Sequence, residues 1–378
     1  MVVTASFGQA EFAARLAATQ AAMAAQDLDL LIADRAEDIT YLSGFAMSET
    51  RYRCCLVPSV GEPALLARQI DRPAAVRSAW FDDVHGYADW VSPGRAIAGI
   101  AAARGWAPRR IGADFTSYGF TGQILGEVRA AFPAAEVTDC GPLVSRLRAV
   151  KSPAEVALLR RAATIADATM AHLAGEARPG RSAREVHFLA AAHFAERGAD
   201  PGQVGPIVKC GDSLSLHPTL EDDALADGDV LHVELLPKVA GYSARLMRPI
   251  AVGRAGAGER EHAEALVAAQ DRQLAALAPG RPAAAVDGLL REALSEAGLR
   301  DGFSHITGYV LGDYYDWTPR GSDLTYAFHP EADWHLAAGM TFHMYAASER
   351  MSVSETVLIT DDGHERLTRT PRVLLTNT

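Results

Sequence analysis

Residues 229–250 read DVLHVELLPKVAGYSARLMRPI, an apolar run interrupted by Glu234 and followed by Arg245. A carboxylate inside such a run is costly unless it is paired or belongs to a site. Strand alternation puts His232, Glu234 and Leu236 on one face. Glu234 is therefore either in an ion pair or in a site. Arg245 has two readings as well: it neutralises Glu234, or it grips a substrate carboxylate through two parallel N–H bonds. Arg248, further along, reads as structural. His217 lies in SLHPTLEDD, where nothing suggests a helix or strand that needs a core histidine. An imidazole titrating near neutrality can give or take a proton. The segment GDYYDWTPRGSD (Gly312–Asp323) is dense in aromatics and acids. Tyr314, Tyr315 and Trp317 either cover the sheet or form a wall for a delocalised cation, with Asp316 adding charge.

The elements that position these residues fall into two groups. Apolar spacing at Phe12, Leu16 and Met23 predicts a helix over residues 9–25. Strands are expected at Leu28–Ile32, Ile39–Tyr41, Arg53–Val57, Ala64–Ala67 and Arg110–Ala113, with a helix at Ala96–Arg104. This makes a small mixed α/β domain over residues 1–146. A linker at Leu147–Pro153 opens a second domain over 147–378. There Ser152 with Glu155, and Ser182 with Glu185, form capping boxes that start two helices. A strand–turn–strand follows at 229–252. The pattern then recurs, with helices near 259–277 and 283–297 and hairpins through 304–311 and 339–360. Helix, helix, hairpin, twice over, implies an α+β fold in which two pseudo-repeats build one curved antiparallel sheet. Its concave face is the natural site.

The 378 residues suit two or three domains, and 49% hydrophobic residues are ample for packed cores. A net charge of −11 argues against nucleic acid or an anionic membrane as partner. The four cysteines, at 54, 55, 140 and 210, show no metal-ligand spacing. Adjacent Cys54 and Cys55 point to opposite faces of a strand. The first residues carry no basic region followed by an apolar run. No stretch approaches the roughly 18–20 apolar residues that span a bilayer. The expected location is the cytoplasm.

Several segments together resemble the creatinase, prolidase and methionine aminopeptidase superfamily, the pita-bread fold. They are ITYLSGF (Ile39–Phe45), AVKSPAEVALLRRA (Ala149–Ala162), GPIVKCGDSLSLHPTLEDD (Gly205–Asp223), the 229–250 hairpin, and GMTFHMYAASERMSVSETVLITDDGHERLT (Gly339–Thr368). In the metallopeptidases of that superfamily the resemblance puts metal-binding Asp residues where this chain has Glu234 and Arg245. It puts a ligand His at His305, and ligand Glu residues where this chain has Tyr345 and Ser354. A guanidinium cannot ligate a metal. Only Glu234 and His305 stay chemically competent, so no metal and no cofactor is expected. His343, on the strand face of Tyr345, is a candidate site group. Glu355 is one position out of register and on paper points the other way, unless a bulge redirects it.

The resemblance is strongest to the metal-free hydrolases, and within them to ectoine hydrolase. It implies hydrolysis of a C–N bond in a small zwitterionic amidine or amide, with His217 and Glu234 catalytic. Arg245, His305, Asp316, Trp317, His343, Tyr345 and Glu355 would contact substrate. Alternatives are a metal-dependent Xaa-Pro peptidase, a lyase or biosynthetic enzyme, and a non-catalytic binding protein on the same fold. The resemblance also implies a homodimer, with Arg51, Tyr52 and Trp90 as candidates to reach a partner.

Overall fold

The structure is a computed structural model describing residues 7–46, 51–210, 220–302, 304–314 and 324–377. The chain divides into two compact units. One runs through Arg148 and takes in the short segment 314–325; the other comprises Ala149–Asp313 and the residues from Tyr326 onward.

The first unit orders α1 (Gln9–Ala24), β1 (Leu30–Ala33), α2 (Ala36–Ser43), β2 (Cys54–Pro58), β3 (Ala64–Arg68), α3 (Arg72–Ser78), β4 (Val84–Tyr87), α4 (Pro93–Ala103), β5 (Arg110–Ala113), α5 (Gly122–Ala131), β6 (Glu136–Asp139) and α6 (Leu143–Arg148). Its six strands form one mixed sheet in the order β4-β3-β2-β1-β5-β6. Strand alternation divides the core in two. Leu31, Cys55, Val57 and Leu65 pack with Ile39, Leu42 and Val144, while Leu30, Ile32, Cys54 and Leu66 pack with Ile97, Ile100 and Val128. Cys54 and Cys55 thus enter different cores, and both are free thiols.

One expected strand is a helix. Ile39–Tyr41 lies within α2, whose first turn carries Glu37 and Asp38 and whose end is capped by Gly44 in the left-handed region. Acidic residues favour a helix N-terminus and glycine a helix C-terminus. Ile39 and Leu42, three apart, bury one stripe.

The second unit begins with α7 (Pro153–Glu176) and α8 (Ala183–Glu196), both opened by the expected capping boxes. There follow β7 (Ile207–Lys209), β8 (Val230–Leu235), β9 (Lys238–Val239), β10 (Tyr242–Ser243) and β11 (Leu246–Ala251). The second repeat is α9 (Ala257–Ala275), α10 (Ala283–Glu296), β12 (Gly308–Val310), β13 (Ala327–Phe328), β14 (Thr341–Ala347), β15 (Ser352–Ile359), β16 (His364–Arg366) and β17 (Leu375–Thr376). Two larger antiparallel-rich sheets result, β17-β11-β8-β7 and β13-β12-β14-β15-β16, beside the two-stranded β10-β9. They meet where side chains of β15 bond the backbone of the first hairpin. Ser354 Oγ accepts from the Met247 N–H at 2.7 Å, and Thr356 Oγ1 accepts from the Arg245 N–H at 2.8 Å. The architecture is the expected α+β fold. No helix among the described residues is long and apolar enough to cross a membrane.

Candidate active site

Register fixes which side chains share the inner face. Glu234 pairs across β8/β11 with Met247, so residues 234, 245 and 247 project to one side while Arg248 projects to the other. On the second sheet Tyr309 pairs with His343, and Tyr345 with Ser354. Two glycines permit the close approaches. Gly205, at φ +110°, lies against β8, where a Cβ would fall 2.3 Å from the Glu234 carbonyl. Gly308 lies against β14, where a Cβ would fall 2.6 Å from Met344 Sδ and 2.9 Å from the His343 carbonyl. That bare contact lays Tyr309 across His343.

Arg245 is the hub. Its backbone is pinned by Thr356 Oγ1, which accepts from its N–H and donates to its C=O, both at 2.8 Å. One Nη approaches Glu234 Oε1 at 3.4 Å and donates to the Tyr309 hydroxyl. The guanidinium carbon also stands 5.3 Å from the centre of the Tyr309 ring. Both members of the ion pair are almost wholly buried. A separation of 3.4 Å is long for a charge-assisted hydrogen bond, which typically spans about 2.7–2.9 Å. His343 Nδ1 lies 2.9 Å from the same Tyr309 oxygen. His343 is fully buried, and that burial, with the Arg245 charge, holds its pKa well below the usual histidine range. The Tyr345 ring lies 5.3 Å from His343, 5.7 Å from His305 and 6.2 Å from Tyr309. Burial pushes the Tyr345 phenol above its ordinary pKa.

His305 is held from both ends. Arg300 donates to its Nε2 at 2.9 Å, because a guanidinium has no acceptor. The ring proton therefore sits on Nδ1 and is given to the Ile306 carbonyl at 2.8 Å. Beneath it Arg291 bonds both Asp287 oxygens and the His305 carbonyl, and Thr307 donates to Asp287 at 2.7 Å. His305 contributes a wall, with neither ring nitrogen left to act as base or ligand.

Of the expected site residues, the structure thus gathers Glu234, Arg245, His305, His343 and Tyr345 around Tyr309. Glu355 is placed elsewhere. It pairs with Met344 on the opposite face of β14/β15, without a redirecting bulge. There it accepts from Arg248 at 2.7 Å and Thr368 at 2.5 Å, and ion-pairs with Arg372 at 3.2 Å and Arg366 at 3.5 Å. Arg248 gives its five N–H groups to Glu355 and to the Met247, Ser354, Thr370 and Pro371 carbonyls. This is a structural ion cluster and not a substrate contact. His217, Asp316 and Trp317 lie outside the described residues. Tyr309 and Arg300 escaped the sequence reading. The signal for Tyr309 was the alternation in ITGYVLG, which puts it on the face of Thr307.

The Metallopeptidase family M24 profile matches residues 157–361, and the Creatinase/Prolidase N-terminal domain profile matches 15–150. The chain belongs to metallopeptidase family M24. Among its relatives is ectoine hydrolase from Halomonas elongata, 26% identical with 98% of each chain covered. The Xaa-Pro dipeptidase of Pyrococcus furiosus is 28% identical over 62% of this chain and 67% of that one. The crystal structure of dipeptidase PepE from Mycobacterium ulcerans is similar in fold, with a TM-score of 0.81 at 24% identity, covering 98% of this chain and 99% of that one. Membership makes the chain a hydrolase of this family, with peptidases and a non-peptide hydrolase both among its relatives.

The family name implies a metal, and the described side chains at the implied positions do not fit one. Among the described residues no group of three or more His, Cys, Asp or Glu could hold an ion. More tellingly, the donors at the implied positions are engaged or unsuitable. Glu234 faces a guanidinium, and Arg245 cannot ligate. His305 has both nitrogens committed, and Ser354 accepts a backbone N–H.

Proposed function

We propose that this M24 hydrolase cleaves a C–N bond of a small zwitterionic amidine or amide without a metal, in the manner of ectoine hydrolase. The observation that carries the reading is the Arg245 guanidinium standing against Glu234, where the family resemblance expects two metal-binding carboxylates. A buried carboxylate beside aromatic rings suits a delocalised cation, and a buried guanidinium suits a carboxylate. A zwitterion supplies both. Its arrival would let Glu234 and Arg245 exchange each other for the substrate's charges, and their 3.4 Å separation favours that exchange.

In this scheme Glu234 pairs with the amidinium and takes a proton from the attacking water. A C–O bond forms at the central carbon and a C–N bond breaks. The departing nitrogen takes a proton, for which His217 is the candidate donor, and leaves as an amine. The carbon remains as an amide. A substrate amide would follow the same course and yield a carboxylate. The protein acts as a homodimer in this reading.

The Xaa-Pro dipeptidase relative supports a second reading, a metal-dependent peptidase. Metal-stripped protein incubated with ectoine, creatine and a Gly-Pro dipeptide separates the two by mass spectrometry. Ring-opened ectoine in the absence of metal is the expected result. Dipeptide cleavage that returns only with Mn²⁺ or Zn²⁺ would overturn it.

A further inference from the structure

Register runs one row of residues through both larger sheets of the second unit. Glu234 on β8 pairs with Met247 on β11, the Met247 N–H donates to Ser354 Oγ on β15 at 2.7 Å, and Ser354 pairs with Tyr345 on β14. Glu234 and Tyr345 are the two ends of that row. The Tyr345 ring is held on several sides. It is 7% exposed, lies at 27° to the His305 ring and 29° to the His343 ring, and meets Tyr309 at 65°. Its backbone N–H is given to the Thr307 carbonyl at 3.1 Å. Its hydroxyl makes no hydrogen bond among the described residues. A buried phenol usually finds a hydrogen-bond partner, so this one calls for a partner from outside the protein. Burial, and after it the Glu234 charge, raise its pKa, so the phenol keeps its proton and can donate. An ionised glutamate is its complement, because it only accepts.

We propose that the Tyr345 hydroxyl is the donor that holds an oxygen on the reacting carbon, either the carbonyl of an amide substrate or that of the amide an amidine leaves behind. The inference rests on the C–N hydrolase reading above and adds the group that recognises the carbonyl. An amidinium carries N–H donors on both nitrogens and needs acceptors, which Glu234 supplies. A carbonyl oxygen needs a donor, which an ionised Glu234 cannot be. Arg245, in the same reading, is taken by the substrate carboxylate. With an amide, Glu234 takes a proton from water, the C–O bond forms, and an electron pair moves from the C=O bond onto the carbonyl oxygen. A donor held at that oxygen stabilises the charge that grows there. The pair then returns, the C–N bond breaks, and the nitrogen leaves with a proton. Tyr345 keeps its own proton throughout.

The test uses full-length protein and two probes of matched shape, acetamide and acetamidinium, titrated by ligand-observed NMR. They differ in carrying an oxygen or a second nitrogen on the same carbon. Tyr345→Phe should weaken acetamide about tenfold, the effect of one lost hydrogen bond, and leave acetamidinium and the melting temperature unchanged. A role in packing alone would weaken both probes alike, so the split between them is what assigns the hydroxyl. Acetamide that fails to bind the wild type, or that binds Tyr345→Phe as tightly, overturns the proposal, and so does an equal loss of both probes. Should Tyr345→Phe fail to fold, wild-type protein labelled at the tyrosine ring carbon that bears the hydroxyl decides. Acetamide should shift a tyrosine signal that acetamidinium leaves in place, and unmoved signals overturn the proposal. Glu234→Gln should weaken acetamidinium. Its failure to do so would count against the cation reading of Glu234, separately from the Tyr345 donor.

Discussion

Two buried glutamates in this chain have opposite tasks, and their surroundings tell them apart. Glu355 is bonded by a threonine and faced by three arginines, in a cluster that leaves it nothing to offer a ligand. Glu234 faces the Arg245 guanidinium, with one Nη 3.4 Å from its Oε1. Glu355→Gln should therefore cost stability, about 3–5 kcal/mol, since it leaves buried arginines without their counter-charge. Glu234→Gln should keep most of the fold and lose turnover of the cleaved C–N substrate by about 10²–10⁴-fold, the range for a lost general base. Thermal melts and steady-state rates on the two variants check both. A Glu234→Gln enzyme at wild-type rate would remove Glu234 from the chemistry. The sequence displayed Glu234 plainly, because a carboxylate in an apolar strand is costly and therefore conspicuous. Tyr309 was not legible in the same way, because tyrosine in a short strand is ordinary. Its importance comes from a contact across sheets that only folding creates. The engagement of both His305 nitrogens was hidden for the same reason, since Arg300 and Ile306 acquire their meaning from the loop's geometry.

At the scale of elements, local chemistry set what could be read. Both capping boxes were visible as Ser-x-x-Glu and open α7 and α8 where expected. The hairpin of β8 and β11 was visible through its apolar runs around a glycine turn. The α2 helix was missed because ITYLSGF is rich in β-branched and aromatic residues, and its helical character comes from flanking acids and from Gly44. The seam between β11 and β15 had no sequence signal. It is made by serine and threonine hydroxyls that bond backbone, where the family resemblance had directed attention to lost ligands. Gly308 tests how far this packing governs the site. A methyl group there meets Met344 Sδ and the His343 carbonyl at less than 3 Å, so β12 must move away from β14. Gly308→Ala should cost about 1–3 kcal/mol as an overpacked site, and should displace Tyr309 from His343. Calorimetry reads the first effect and the His343 ring resonances read the second. Unmoved resonances would mean that Tyr309 does not depend on this contact.

At the scale of the whole molecule, the two units carry pH dependences of opposite sign. In the first unit Asp34 is buried at the end of β1, with one carboxyl oxygen lacking any hydrogen bond. Burial raises its pKa to about 7, against a bond from Ser117 and the charge of Arg35, with Asp38 and Asp114 adding to the rise and Tyr52 and Cys54 also facing it. Burial likewise raises Asp38 to about 6, opposed by Arg148. An acid whose folded pKa exceeds its unfolded value holds its proton better when folded. Stability therefore falls as pH rises from about 4 to about 7, by up to roughly 1.4 kcal/mol per unit for each group, and levels off above. In the second unit burial lowers the pKa of His343, His305, His187, His193 and His262, so these favour folding as pH rises through the usual histidine range. A single melting curve mixes the two trends. The difference between wild type and Asp34→Asn separates them, because the histidine terms cancel. At pH 4 the gap between the two proteins should be small, since Asp34 is protonated in the folded state and about half protonated in the unfolded chain. At pH 8 the wild type alone carries a buried charge, and Asp34→Asn should be more stable by on the order of 4 kcal/mol, about three pH units at roughly 1.4 kcal/mol each. Urea melts of the full chain at the two pH values measure that gap. A difference that does not grow with pH would mean that Asp34 ionises as freely in the fold as in the unfolded chain, and its unpartnered oxygen would then have found water.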